Sequence, residues 1–445
     1  MRRTRQLIKM PAKVILTIIE GSLKGQEFVI DSRTTCIMGR AKDCHPQIPD
    51  DEHHRTISRY HCLLDINPPD IRVRDFGSLN GTYVNGKKIG QRQINQTPEE
   101  GAKLKFPEYD LKKGDLIKLG NTVFRIHTEA ANEEEFTRFP DENPLADINS
   151  GDLSNFKNIE GYTILTELGR AGCSTIYVAR HKQTRDLVAI KLMLPQVAIN
   201  RRARDWFLRQ VENTKALHHP NIVQLRDYGY GKGTFFCALE YCKDGNIFDL
   251  MRKRNSRLSI DEGIAITMQV LDGLDYAHHA EIPYTRLSDG TFGKGRGLIH
   301  RDIKPHNILL TYSDKKLVAK IADYGLSKAF DLAGFSGQTM SGNKAGTPGF
   351  IPRQQVLNFK YGKPDLDVWT TAACLYFMLT GFYPRDFTNK DPFLVVLQTP
   401  AIPIRRRNSD IPVKLAEVID LALVDNPQIT FKSATEFKQA LLSVL

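Results

Sequence analysis

The hydrophobic pattern of this chain changes character twice, and one compact core cannot satisfy both patterns. From residue 13 to 128, apolar and polar residues alternate in short runs broken by Gly, Pro, Asn and Asp. Val14-Ile15-Leu16-Thr17-Ile18-Ile19, Tyr60-His61-Cys62-Leu63-Leu64, Ile71-Arg72-Val73-Arg74 and Val123-Phe124-Arg125-Ile126 read as strands, with Asn80-Gly81 and Asn85-Gly86 as turns. The pattern predicts an all-β sandwich over residues 13–128. Residues 129–158 hold eight acids against two bases, with Pro140 and Pro144 and little periodicity, and read as an acidic linker. From Tyr162 strands return, and from about Ile260 a helical period takes over, the order expected of an α+β domain with two lobes. A length of 445 residues gives each domain enough chain to bury its own core.

Bulk properties narrow the class. No run of about 18 uncharged apolar residues is present, so no membrane span is expected. The apolar stretch Val14–Ile19 is broken by Glu20 and reads as a strand, not a signal peptide. Seven scattered cysteines without C-x-x-C spacing fit a reducing, cytoplasmic setting better than a disulfide framework or a zinc site. The net charge of +11 is split between two basic regions separated by the acidic linker. No basic helix with interleaved aromatics stands out, so the excess cations read as phosphate handling, and no nucleic-acid partner is expected.

The densest chemistry lies in His300-Arg301-Asp302-Ile303-Lys304-Pro305-His306-Asn307, followed sixteen residues later by Asp323-Tyr324-Gly325. Upstream, Val188-Ala189-Ile190-Lys191 closes a strand on a cation, and Leu168-Gly169-Arg170-Ala171-Gly172-Cys173-Ser174-Thr175-Ile176 forms a glycine-bearing loop. Together these segments resemble the bacterial Ser/Thr protein kinases of eukaryotic type over roughly residues 160–445. The resemblance implies a bilobal fold, with an N-lobe of about 160–241 and a C-lobe of about 242–445. It makes Asp302 the base for a substrate hydroxyl, Lys304 a partner of the transferred phosphate, and Lys191 a ligand of the ATP phosphates. It assigns Mg²⁺ to Asn307 and Asp323, and nucleotide contacts also to Gly169, Gly172, Ile176, Ala189, Glu240 and Cys242. Leu239 falls at the gatekeeper position. Lys304 and Thr347 match Ser/Thr rather than Tyr kinases.

The chain departs from the family pattern at several points. Ala171 and Ser174 replace the second and third loop glycines, while Gly172 restores some backbone freedom. The helix glutamate that pairs with the strand lysine is replaced by Gln210; Glu212, two residues on, points about 200° away unless the helix register differs. Pro352-Arg353-Gln354 stands for the family's Ala-Pro-Glu, and Thr430 for the arginine that its glutamate meets, so both partners of that pair are lost together. Asp367 matches the aspartate that braces the catalytic loop, although a helix N-cap would look the same. Ser336, Thr339 and Ser341 are candidate phosphosites readable by Arg301. Residues 281–296 read as a flexible inserted loop, and Cys173, with Arg170 its one cationic neighbour, reads as an exposed thiol without a redox role. These departures also support a rival, a pseudokinase scaffold that binds phosphoproteins without efficient transfer.

In the first domain, Gly39-Arg40, Ser58-Arg59-Tyr60-His61 and Asn80-Gly81 occur in order. They resemble the forkhead-associated (FHA) domain, a sandwich that binds phosphothreonine peptides at one end. The resemblance implies phosphate contacts from Arg40, Ser58 and Arg59, peptide-backbone contacts from Asn80, and an internal prop at His61. Leu79 replaces a common hydroxyl residue, and residues 94–112 read as an extended loop. The expectation is a multidomain chain: an N-terminal all-β FHA sandwich followed by an α+β bilobal protein kinase fold. Its cofactors are ATP and Mg²⁺, and its partners are phosphothreonine-containing proteins, or its own Thr137, together with Ser/Thr substrates.

Overall fold

The computed structural model describes residues 13–30, 34–42, 44–97, 104, 106–129, 159, 161–171, 174–193, 201–231, 234–286, 292–324, 348–357, 362–388 and 392–445. Gly172, Cys173, Gly325, Thr137, Ser336, Thr339, Ser341, Thr347 and residues 130–158 lie outside that set. The chain divides into two compact units: one holds residues 1–139, 351–361 and 386–399, the other residues 140–350, 362–385 and 400–445.

In the first unit, β1 (Lys13–Glu20), β2 (Glu27–Ile30), β3 (Thr34–Met38), β4 (Cys62–Asn67) and β5 (Asp70–Asp75) are followed by β6 (Thr82–Val84), β7 (Lys87–Gly90), β8 (Tyr109–Leu111), β9 (Leu116–Leu119) and β10 (Thr122–Glu129). They form a six-stranded sheet in the order β2-β1-β10-β9-β6-β7 and a four-stranded sheet in the order β3-β4-β5-β8. Alternation decides which side chains enter the core between them. Val14, Leu16 and Ile18 of β1 join Leu64 and Ile66 of β4 and Phe124 and Ile126 of β10 in one buried cluster. Asn85 and Gly86 both take positive φ (49° and 81°) in the two-residue turn between β6 and β7, as Asn-Gly predicts. The stretch 94–112, read as loop, ends in a strand: β8 pairs with β5.

The second unit begins with β11 (Tyr162–Ala171), β12 (Ser174–His181), β13 (Leu187–Met193), helix α1 (Arg201–Lys215), β14 (Leu225–Gly231) and β15 (Thr234–Glu240). The five strands form an antiparallel sheet in the order β11-β12-β13-β15-β14. Helices α2 (Ile247–Lys253) and α3 (Ile260–His279) come next, each opened by a capping box, from Asn246 to Asp249 and from Ser259 to Glu262. A hairpin of β16 (Glu281–Arg286) and β17 (Phe292–Arg296) precedes the loop from His300 to Asn307, and β18 (Ile308–Ser313) with β19 (Lys316–Ile321) follows it. Helices α4 (Arg353–Leu357), α5 (Pro364–Thr380), α6 (Pro392–Gln398), α7 (Val413–Ala422) and α8 (Ala434–Leu442) complete the chain, α4 and α6 falling within the first unit and the others within the second. Helix α5 is buried along nearly its whole length, and an apolar helix without a polar stripe belongs inside a core.

The hairpin corrects the expectation of a flexible loop over residues 281–296. Glu281 pairs with Arg296, Ile282 with Gly295 and Thr285 with Gly293. Gly295 is required there because a Cβ would run into the Thr285 side chain. The glycines that resembled loop punctuation admit a close strand approach instead.

Candidate active site

Two hairpins and one buried carboxylate bring the second unit's functional residues together. Strand β13 sends Val188, Ile190 and Leu192 into one cluster with Ile159, Tyr162, Ala179 and Ala238. The opposite face therefore carries Ala189 and Lys191 towards the cluster of Val211, Leu225, Cys237 and Leu239. Ile176 of β12 lies directly across from Lys191, and Leu239 of β15 directly across from Ala189. The four assigned sheet positions thus share one face. Gly169 pairs with Ile176 beside a bulge in β11, where a Cβ would meet nothing within 4 Å.

The β18–β19 hairpin explains the sixteen-residue spacing between the two assigned metal ligands. Ile308 pairs with Ile321, and the Ala322 N–H donates to the Asn307 carbonyl at 2.8 Å, so Asn307 and Asp323 leave adjacent ends of the same ladder. Asp323 meets Lys191 from the sheet at 2.8 Å. Burial alone would raise the Asp323 carboxyl, yet the Lys191 ammonium, with His300 and Lys304 nearby, holds it below the usual carboxylate range. Asn307 donates from Nδ2 to the Asp302 carbonyl at 2.8 Å and to its Oδ2 at 3.1 Å, while Lys304 Nζ donates to the same Oδ2 at 2.7 Å. Asp302, Lys304 and Asn307 are thus one hydrogen-bonded group.

Asp367, fully buried in the first turn of α5, holds that loop in shape. Its carboxylate accepts the backbone N–H groups of His300 and Arg301, both at 2.8 Å, and contacts His278 Nε2 at 2.8 Å. This is a brace for the catalytic loop, not an N-cap. Burial opposes its ionisation, but the His278 hydrogen bond and charge, with His300, keep it below the ordinary value. His300 is fixed as well: Nδ1 accepts from the Asp302 N–H at 3.2 Å, so Nε2 is the nitrogen that donates to the Ala322 carbonyl at 2.7 Å. Arg301 and Asp323 both sit at positive φ, 67° and 66°, a strained backbone that surrounding bonds must maintain.

Helix α1 behaves differently from the family pattern. Gln210 is half-buried, and Lys191 takes Asp323 as its carboxylate. Glu212 accepts the hydroxyl of Tyr228 on β14, so the register that would bring it to Lys191 is not used. That bond first, and burial second, push the Tyr228 hydroxyl up to about 12. At the end of β15, the Glu240 side chain turns to Lys320 at 3.0 Å, and the buried Cys242 thiol is pushed up to about 12 by desolvation. Sequence reasoning missed a buried pair of Arg385 with Asp425 at 2.6 Å, the guanidinium lying 5.0 Å from the Trp369 ring centroid. Its members are 40 residues apart with no motif around them.

In the first unit, Gly39 is explained by close packing: a Cβ would fall on the Arg59 carbonyl oxygen. Arg40 donates to the Ile57 carbonyl and to the Asp50 carboxylate, while Arg59 is exposed. Ser58 Oγ accepts from the Leu79 N–H at 3.0 Å, and Asn80 Nδ2 donates to the Thr56 carbonyl at 2.7 Å. Arg40, Ser58 and Asn80 are therefore joined through one strap of backbone, residues 56–58. His61 is buried, with Nδ1 accepting from the Ser58 N–H at 3.0 Å and Nε2 near the Gly81 carbonyl at 3.1 Å, the internal prop expected of it. Buried Asp75 shapes the Asn80 turn. It accepts from Gly77 N, Ser78 N, Ser78 Oγ and Thr82 Oγ1 at 2.6–2.9 Å. Its place in an ordinary strand sequence gave no sign of that role.

A two-lobed unit with a lysine on its sheet, an acid–lysine–asparagine loop and a following aspartate defines a class. The chain belongs to the protein kinase domain family, which it matches over residues 162–428, and residues 36–120 match the FHA domain. It is 30% identical over 229 residues to CBL-interacting protein kinase 17 of Oryza sativa subsp. japonica, covering 52% of this chain and 46% of that protein. Serine/threonine protein kinase OSK3 of Oryza sativa subsp. indica is 28% identical over 231 residues, with 52% and 41% covered. A double mutant of the Mycobacterium tuberculosis PknI kinase domain superposes with a TM-score of 0.48 at 23% identity, over 64% of this chain and 95% of that one. The chain spans less than half the length of the two rice proteins it matches. No described helix is long and apolar enough to cross a membrane.

Proposed function

We propose that the chain is an ATP-dependent Ser/Thr protein kinase related to the bacterial enzymes of eukaryotic type, recruited by its FHA domain to phosphothreonine on partners or on itself. The observation that carries this reading is the hydrogen-bonded group of Asp302, Lys304 and Asn307, held by Asp367. Asp302 accepts the proton of a Ser or Thr hydroxyl as its oxygen bonds to the γ-phosphorus. The bond from that phosphorus to the β,γ-bridging oxygen breaks, and ADP leaves with the electron pair. Lys304, beside the base, offsets charge on the transferred phosphoryl group, and Lys191 does so on the nucleotide.

The donor set fits Mg²⁺: the lowered Asp323 carboxyl is an ionised oxygen ligand, and the Asn307 amide bonds Asp302 through Nδ2, its oxygen being the atom suited to a cation. Among the described residues no group of three or more His, Cys, Asp or Glu forms an all-protein metal cage. A site of one or two protein ligands completed by substrate phosphates is how Mg²⁺ is usually bound in such enzymes. Asn307 and Asp323 would hold the ion, whose chemistry is to neutralise the phosphate oxygens.

The six described cysteines are free, which fits a reducing cytoplasm. Exposed Arg59, with Arg40 and Ser58, supports phosphate docking at the first unit, and docking raises local substrate concentration without tight binding. Purified full-length chain given γ-labelled ATP and a generic protein substrate should yield labelled phosphoserine and phosphothreonine. Label confined to phosphotyrosine, or none above an Asp302→Asn control, would sink the reading. A phosphothreonine peptide library should be captured by the chain and lost about tenfold on Arg59→Ala, as for loss of a charge-assisted contact of about 1.5 kcal/mol. Capture unaffected by Arg59→Ala and by Arg40→Ala would remove the docking role.

A further inference from the structure

We propose that Asn213 is a positioning residue for phosphoryl transfer, through which the β16–β17 hairpin fixes the end of helix α1 against the Asp323–Tyr324 loop. Asn213 is 1% exposed. Its Oδ1 accepts the Tyr284 N–H at 2.9 Å, and its Nδ2 donates to the Tyr284 carbonyl at 2.8 Å. A primary amide meets both backbone groups of one residue with two separate atoms, its oxygen accepting and its nitrogen donating. Here it satisfies a strand's backbone from the side of a helix.

The neighbouring residues give the bond its reach. Successive helix positions point about 100° apart, so Glu212, Asn213 and Thr214 face three different elements. Glu212 takes the Tyr228 hydroxyl on β14, Asn213 the hairpin, and the buried Thr214 hydroxyl is shared between the Gln210 carbonyl of its own helix at 2.8 Å and the Tyr324 carbonyl at 3.1 Å. Tyr324 adjoins Asp323, whose carboxylate holds Lys191. The hairpin is anchored on the catalytic-loop side: Gly297 N donates to Ala280 O and Leu298 N to Ala277 O, both at 2.8 Å, two residues before His300. With Gln210 in place of the helix acid, a polar path still runs from the catalytic-loop approach through β16 to α1, and on to Asp323 and Lys191.

This assignment rests on the phosphotransfer reading, and the experiment separates the two. In the full chain, Asn213→Ala removes the bond from the helix side. Tyr284→Pro removes the N–H from the hairpin side and leaves the helix sequence unchanged, which covers the case in which Asn213→Ala fails to fold. Each should lower kcat per nucleotide-binding molecule about tenfold with KM for ATP within about twofold, the pattern of a lost transition-state arrangement. The double variant should be no worse than either single one, because both cut the same joint. Amide exchange should rise about tenfold across residues 208–215 and 322–324 in each. Additive losses, or losses that track only the folded fraction, would overturn the proposal. So would unchanged exchange beside full turnover, which leaves the phosphotransfer reading intact. A wild-type chain without turnover, but with coupled exchange in both variants, would refute the phosphotransfer reading and leave the joint standing.

Discussion

The catalytic loop and helix α1 solve the same problem by opposite means. Both must hold a short segment at a fixed place beside Asp323. The loop from His300 to Asn307 is held by one fully buried carboxylate, Asp367, and by hydrogen bonds among its own motif residues. Helix α1 has no carboxylate at the expected position, and its last turn is held by three unlike contacts to three elements. A loop built around a single buried charge tolerates no substitution there, because losing one partner strands the others. A helix fixed by several hydrogen bonds to different elements can lose an ion pair and keep its place. The loss of the helix acid at Gln210 thus falls on a helix that has other contacts to hold it.

That contrast can be broken from the loop side first. Asp367→Ala leaves two backbone N–H groups and His278 without their acceptor in a buried site. It should cost about 3 kcal/mol of stability and about a hundredfold in turnover. Thermal unfolding and steady-state assays check this, and a change below twofold in turnover would show that the loop holds its own shape. An acid titration probes the same charges. Asp323 and Asp367 are both held below the unfolded carboxylate value, so folding takes up no proton there above about pH 4. Their contribution is complete above that value and is lost as pH falls through the lower folded values. Stability should therefore fall with acid below about pH 4, and Asp367→Asn should flatten the slope; an unchanged slope would remove Asp367 from the account. The smallest effect belongs to the helix. Gln210→Glu restores an acid beside a lysine already paired with Asp323, so turnover should rise by no more than about threefold. A rise of thirtyfold would mean that the missing ion pair, not the set of contacts to three elements, limits the helix.

Sequence legibility divided along the same line. The strands, the Asn85-Gly86 turn, the two-lobed order and the closeness of Asp302, Lys304 and Asn307 were readable because each depends on local period or on a short contiguous motif. Lys191 could be placed on the face away from Val188 and Ile190 by alternation alone. Asp367 was readable as a brace only through resemblance, since an aspartate near a helix start has two meanings and only the structure shows which groups it accepts. The hairpin at 281–296 was misread because glycine marks loops and also, as at Gly295, close strand contacts. Asp75, Asn213 and the Arg385–Asp425 pair gave no signal, because their partners lie 2 to 71 residues away with no periodic relation. Exposed Arg59 and tethered Arg40 were interchangeable as sequence and are distinct in structure.

The central claim is that the altered surroundings leave a working centre. The most direct test is single-turnover transfer from saturating ATP to a Ser/Thr substrate by the full chain, beside Asp302→Asn. Loss of a positioned general base predicts a fall of about a hundredfold or more, with ATP still bound by both proteins. Equal rates for the two, or no transfer by the wild-type chain while ATP is bound, would make the second unit a phosphoprotein-binding scaffold and contradict the account.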